Sequence, residues 1–151
     1  MKRLFVLYDA CIARLNSAMP EGVILLFMRV VLAGVFWRSG QTKTEGSWLT
    51  LKDSTYALFK TEYSGLPLPP HLAANLASLA EHILPVLLVL GLFTRFSALG
   101  LLCMTLIIQI FVYPDAWWTE HSLWSAMALV LIVKGGGLLS ADAALVRMRN
   151  G

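Results

Sequence analysis

Four stretches of this chain, residues 23–40, 72–93, 96–112 and 116–133, are apolar with no more than two charged residues each. They constrain the fold because a backbone in hydrocarbon must satisfy its own N–H and C=O groups, which leaves α-helices or a closed β-barrel. A helix rises about 1.5 Å per residue and the hydrocarbon core is about 30 Å thick, so about 17–25 residues cross it. No series of segments alternates with the period of a barrel strand, and charged residues make up only 14% of the chain. The reading is all-α, a four-transmembrane-helix bundle. Its fourth span is the least secure, because its unbroken apolar core, Leu123 to Val133, is short and reaches full length only with Trp117, Trp118 and Trp124.

The flanks set the orientation. Lys2, Arg3 and Arg14 precede the first span, Arg95 lies in the tight second connection, and Lys134, Arg147 and Arg149 follow the fourth; four crossings put all of these on one side. On the other side Lys43, Lys52 and Lys60 are offset by Glu45, Asp53, Glu62, Asp115 and Glu120, so the positive-inside rule places both termini in the cytoplasm. The net charge of +3 is thus spent on topology and forms no patch for nucleic acid. Cys11 then faces the reducing side and Cys103 the bilayer, so no structural disulfide is expected. Lys2 and Arg3 are followed by only five apolar residues before Asp9, short of the about 7–15 a cleaved signal needs. Leu4, Leu7, Tyr8, Cys11, Ile12 and Leu15 instead recur at helical spacing against Lys2, Asp9 and Arg14. That fits an amphipathic segment over residues 1–20 lying on the membrane before Pro20, or a helix packed under the bundle.

A single membrane domain over residues 21–145 follows, with 146–151 as a cytoplasmic tail. The connection from 41 to 70 is aromatic, and Ser54 could cap a helical turn placing Tyr56, Phe59, Lys60 and Tyr63 near one face, as a lid on the outer surface. Leu66-Pro67-Leu68-Pro69-Pro70 forces extended backbone before the second span. Gly135-Gly136-Gly137 stops the fourth span, and Ser140 with Asp142 opens a short terminal helix.

Ionisable side chains within a span are functional-site candidates. Glu81 and His82 lie in the second span, four residues before Pro85, whose missing N–H leaves the Glu81 carbonyl without its helical partner. At about 1.5 Å per residue from the cytoplasmic ends, Arg38 lies about 24 Å up the first helix, Glu81 about 18 Å up the second and Gln109 about 20 Å up the third. The expectation is a polar layer of Arg38, Glu81, His82 and Gln109 with Arg38 paired to Glu81. The alternative is a buried ion pair that only fixes packing. Arg29 sits lower, at about 10 Å, and about 180° around the helix from Arg38; it can anchor at the interface or cap helix ends.

His71 and His82 lie about 16 Å apart along one helix and cannot share an ion. A metal cluster of His71 and His121 at the outer mouth, with Asp115 or Glu120, is a weak alternative to solvated interfacial histidines. Tyr113, Trp117, Trp118 and Trp124 fit an aromatic belt, or a frame for a flat lipophilic ligand, and Lys43 stands at the same mouth.

Several motifs then fall in order along the chain: Arg29, Arg38-Ser39-Gly40-x-x-Lys43, Ala80-Glu81, Gly91-Leu92-Phe93-Thr94-Arg95, and Gly135-x-Gly137-x-Leu139-Ser140-x-Asp142. Together, over about 23–145, they resemble the DoxX family. Ala80-Glu81-His82-Ile83-Leu84-Pro85 and Val112-Tyr113-Pro114-Asp115-Ala116-Trp117 look like a bacterial subgroup associated with clusters for modified copper-binding peptides. One departure is Gly136-Gly137, where the family often has Pro-Gly. The resemblance implies a four-helix protein of the bacterial inner membrane, and some members are subunits of thiosulfate:quinone oxidoreductase or accompany redox enzymes.

No haem, flavin or iron–sulfur motif is present, so electrons would need a quinone or a partner's cofactor. Three functions fit these residues. In an accessory or redox-associated subunit, Arg38, Glu81 and His82 line a quinone-type site, Glu81 exchanging protons with the ligand while His82 relays them outward. A transport helper for a small molecule, peptide or metal complex would use Pro85 as its bend and would need a homodimer, since four helices are few for a carrier. A non-catalytic scaffold would dock a redox or biosynthetic protein partner through the lid and termini.

Overall fold

The computed structural model describes the backbone of residues 2–18 and 21–150, with side chains outside 2–4, 14–18 and 48. The elements are α1 (Lys2–Ala18), α2 (Glu21–Lys43), β1 (Thr44–Glu45), β2 (Ser47–Leu51), α3 (Asp53–Thr61), α4 (Pro70–Leu90), α5 (Thr94–Phe111), α6 (Ser122–Lys134) and α7 (Ala141–Asn150), with a 3₁₀ turn at Pro114–Ala116 and a π turn at Trp117–His121 before α6. The fold is all-α apart from one antiparallel hairpin, which turns at Gly46 with φ of 69°. Helices α2, α4, α5 and α6 form a ring in which each packs against the next and α6 closes back onto α2.

Among the described residues three helices, α2, α4 and α5, are long and apolar enough to cross a membrane. The fourth apolar segment differs from expectation. Its α-helix holds only 13 residues, about 20 Å at about 1.5 Å per residue, because the turn from Trp117 to His121 is π and begins after Pro114. Gln109 organises that turn: its Nε2 donates to the Pro114 carbonyl at 2.6 Å and its Oε1 lies 2.7 Å from His121 Nδ1.

Lipid tails are as apolar as leucine, so helix association here depends on close fit more than on burial of apolar area. Leu25, Leu32, Phe36, Leu88, Leu101 and Leu131 interlock with Ala33, Ala98 and Ala128 in one core. Gly40 brings α2 against α4 so closely that a Cβ there would stand 2.9 Å from His82 Cε1 and 3.2 Å from Glu81 Cβ.

At the end of the bundle that carries the α4–α5 turn, the motifs singled out above join into a single brace. Arg29, fully buried, donates Nη1 to the Val89 carbonyl at 3.1 Å, covering an acceptor that the end of α4 leaves open, and Nη2 to the Leu139 carbonyl before α7. The Asp142 carboxylate accepts the Phe93 and Thr94 N–H groups at 2.8 and 2.9 Å, capping the start of α5. Arg95 Nη1 donates to the Ile132 carbonyl at 2.7 Å, and the Ser140 hydroxyl accepts the Ala143 N–H at 3.2 Å to open α7. Arg29 therefore caps a helix end, that of α4.

At the opposite end the connection over 44–69, which holds the β1–β2 hairpin and α3, forms the lid. Phe59 and Thr55 are buried, Phe59 against Ala73 and Ala74 of α4. Ser54 does not cap α3; the cap position is Lys52 and the helix starts at Asp53. The described side chains of α1, from 5 to 13, are all exposed, so packing of that part under the bundle is not found. The parts of the amphipathic pattern carried by Lys2, Leu4, Arg14 and Leu15, and the break at Pro20, lie outside the described residues or side chains.

Candidate functional site

Helix α2 buries one stripe: Leu25, Arg29, Leu32, Ala33, Phe36, Gly40 and Lys43 recur at intervals of three and four, the spacing of one helix face. The helix runs past Gly40 because Lys43 is held at its end, its carbonyl accepting the Lys52 N–H at 3.0 Å and the Thr55 hydroxyl at 2.8 Å. Lys43, not Arg38, is the cation that meets Glu81. Its ammonium lies 2.8 Å from both Glu81 carboxylate oxygens, and the side chains are only 8% and 2% exposed. Ser39, one turn before Lys43, joins them, accepting from Lys43 Nζ at 2.8 Å and donating to Glu81 Oε1 at 3.0 Å.

Arg38 is exposed. The expected Arg38–Glu81 pair is corrected by rotation: height along the axis was compatible, but Arg38 lies about 180° from the buried Arg29. Gln109 also leaves the expected layer, since it turns toward Pro114 and His121 while Met104, Ile107 and Ile108 of α5 face Glu81 across a cavity.

That cavity, of about 330 Å³, lies between the lid, α4 and α5. Its wall is apolar except for Lys43, Glu81 and Tyr63. The Tyr63 ring stacks on Phe59 with centroids 4.4 Å apart and meets Tyr113 edge-on at 6.5 Å. The Tyr113 hydroxyl donates to Glu62, and this bond ties the lid to the segment after α5.

His82 faces elsewhere. Adjacent residues on a helix point about 100° apart, and His82 lines a second cavity of about 250 Å³ with Trp37, Ile83, Val86 and Leu87. Its Nδ1 lies 2.7 Å from the Ser78 carbonyl, which can only accept, so Nδ1 carries the proton. In the neutral ring Nε2 then accepts from Gln41 Nε2 at 3.1 Å. Glu81 and His82 thus open onto different cavities, where one shared site was expected.

The two histidines of the weak metal alternative are held apart by other partners. His71 stacks on Tyr56 with centroids 4.5 Å apart, and buried His121 takes Gln109 and lies 5.1 Å from the Trp124 ring. Among the described residues no group of three or more His, Cys, Asp or Glu side chains converges to hold a metal ion.

Tyr63 and Ser39 were not singled out as site residues from sequence. Ser39 had a usable signal, its four-residue spacing before Lys43; Tyr63 had none beyond its place on the lid, because the fold of the lid decides what it covers.

Burial pushes the Tyr63 phenol up to about 12, with smaller contributions from Tyr113 and the Glu81 and Glu62 charges. The folded state therefore keeps a proton that the unfolded chain releases from about pH 10, and stability is expected to fall as pH rises from about 10 to about 12. Tyr63→Phe should flatten that alkaline loss in thermal unfolding followed against pH. An unchanged slope would show that Tyr63 is not the group responsible.

Residues 24–114 match the DoxX family. An uncharacterized protein of Haemophilus influenzae is 30% identical over 145 residues, covering 85% of this chain and 87% of the relative. No solved structure matches. The family match takes in α4, α5, most of α2 and the lid between them, and with it the Lys43–Glu81 pair and the cavity: the chain belongs to the DoxX family.

Proposed function

We propose that this protein is a bacterial inner-membrane subunit, accessory to redox chemistry, whose outer cavity holds a quinone-type ligand against the Lys43–Glu81 pair. The observation that carries this reading is the apolar cavity ending on a buried ion pair. Its volume falls in the range of small-ligand pockets, about 300–1,000 Å³, and an apolar wall with few polar groups suits a lipophilic ring with an oxygen-bearing head. An ion pair kept in a membrane interior is costly, and replacing such a pair with apolar residues is often neutral or stabilising. A binding role accounts for its presence better than packing does.

The fourth crossing, in this reading, is α6 extended by the Trp117–His121 turn, with both termini cytoplasmic beside Arg95, Lys134, Arg147 and Arg149. Exposed Phe5, Leu7, Tyr8 and Ile12 of α1 suit a helix lying on the inner leaflet. Electrons pass to or from a partner protein. The segments 80–85 and 112–117 support a setting in the handling of copper-binding modified peptides.

The test is solvent extraction and mass spectrometry of the purified, detergent-solubilised protein beside Ala80→Phe, which fills the cavity from its wall without touching the ion pair. Wild type is expected to retain a quinone and the folded variant to lose most of it. Wild type free of quinone, with none taken up on incubation, would sink the reading.

A further inference from the structure

The Lys43–Glu81 pair has hydrogen-bonding capacity to spare on one side only. A lysine ammonium has three donors, and three oxygens stand 2.8 Å from Nζ: Ser39 Oγ, Glu81 Oε1 and Glu81 Oε2. The donors are spent. Among the described residues, Glu81 Oε1 accepts from both Lys43 and the Ser39 hydroxyl, whereas Oε2 accepts from Lys43 alone. A carboxylate oxygen has room for about two hydrogen bonds, so the capacity left on the pair is an acceptor.

A keto oxygen brings only lone pairs, so against Oε2 it meets lone pairs with lone pairs. A hydroxyl donates to Oε2, and its own oxygen can still accept from the phenol of Tyr63, the remaining polar side chain on the wall. We propose that the cavity selects a hydroxyl-headed lipophilic ligand, a hydroquinone over the corresponding quinone, through the free acceptor capacity of Glu81 Oε2. This rests on the reading of the cavity as a quinone-type site and names the redox form it holds. The apolar wall formed by Leu66, Leu76, Ile107 and Phe111 serves both forms equally, so the choice falls to the head group.

The experiment is anaerobic equilibrium binding of three probes to the full-length protein in detergent: a decyl-substituted benzoquinone, its hydroquinone, and the dimethyl ether of that hydroquinone. The hydroquinone is expected to bind about tenfold or more tightly than the quinone, the scale of one hydrogen bond to a charged group. The ether has the ring and tail but no O–H, and should fall to the quinone's level or below. In Glu81→Gln the side chain offers a donor as well as an acceptor, and the preference should shrink toward unity. If that variant does not fold, the ether comparison on wild type still decides. Equal binding of hydroquinone and quinone, or an ether that binds as well as the hydroquinone, overturns the selectivity and leaves the cavity reading standing. Failure of all three probes to bind overturns both.

Discussion

Lys43→Met is expected to destabilise the protein by about 3–5 kcal/mol, the cost of removing one partner from a buried ion pair. Lys43 and Glu81 are almost fully buried, and Glu81 Oε2 has Lys43 as its one hydrogen-bond donor among the described residues. With methionine at 43 the carboxylate keeps only Ser39, and must take up a proton or draw in water. The second change Glu81→Leu should recover most of the loss, because it removes the stranded charge along with its desolvation cost. Thermal unfolding in detergent, read by size-exclusion recovery, measures both variants. A Lys43→Met protein as stable as wild type would mean that the pair is solvated in the membrane and that its burial costs little. The double variant has a further use: if it folds but no longer retains ligand, the pair is present for binding and not for packing.

Gly91→Ala should be damaging although Gly91 lines neither cavity described above. Gly91 ends α4 with φ of 69°, and a Cβ there would overlap Arg29 Nη1 and stand 2.9 Å from Ser140 Cα. The left-handed conformation costs a non-glycine residue about 1–2 kcal/mol, and overpacking adds about 1–3 kcal/mol. The guanidinium cannot simply move aside, since it holds the Val89 and Leu139 carbonyls. The expected outcome is loss of most folded protein from the membrane fraction, with the remainder unfolding at a lower temperature. Wild-type yield and melting would show that the brace between the α4–α5 turn and the Gly135–Asp142 segment carries little of the stability.

Some of this was legible residue by residue. Gly91-Leu92-Phe93-Thr94-Arg95 and Gly135-x-Gly137-x-Leu139-Ser140-x-Asp142 marked a turn and a stop, because glycine's backbone freedom and the capping of helix ends act over a few residues. That these two segments bind each other, through Asp142 and around Arg29, was not legible, since they lie 40 residues or more apart in the chain. The polar layer shows a similar limit. Counting along the helices gives Arg38, Glu81 and Gln109 similar depths, but depth is one coordinate of two. Rotation about the axis sends Arg38 outward and gives Glu81 to Lys43, five residues further on. The relation was latent in the sequence: Arg29, Phe36 and Lys43 are spaced by sevens, so an inward Arg29 implies an inward Lys43. The fourth segment illustrates a third limit, because hydropathy registers apolar residues equally well in an α-helix and in the π turn where Trp117 to His121 lie.

The sequence by itself determined the membrane-embedded, all-helical character of the chain, its apolar segments and the buried carboxylate at Glu81. Those follow from a rule that acts on each segment separately, the need of a backbone in hydrocarbon to satisfy its own hydrogen bonds. Only the tertiary structure decided which cation meets Glu81, that Glu81 and His82 serve different cavities, and that a lid carrying Tyr63 closes over one of them. Those depend on how helices are rotated and how closely Gly40 lets α2 approach α4. In a membrane, such choices are made by the fit of side chains between helices, which no single segment contains.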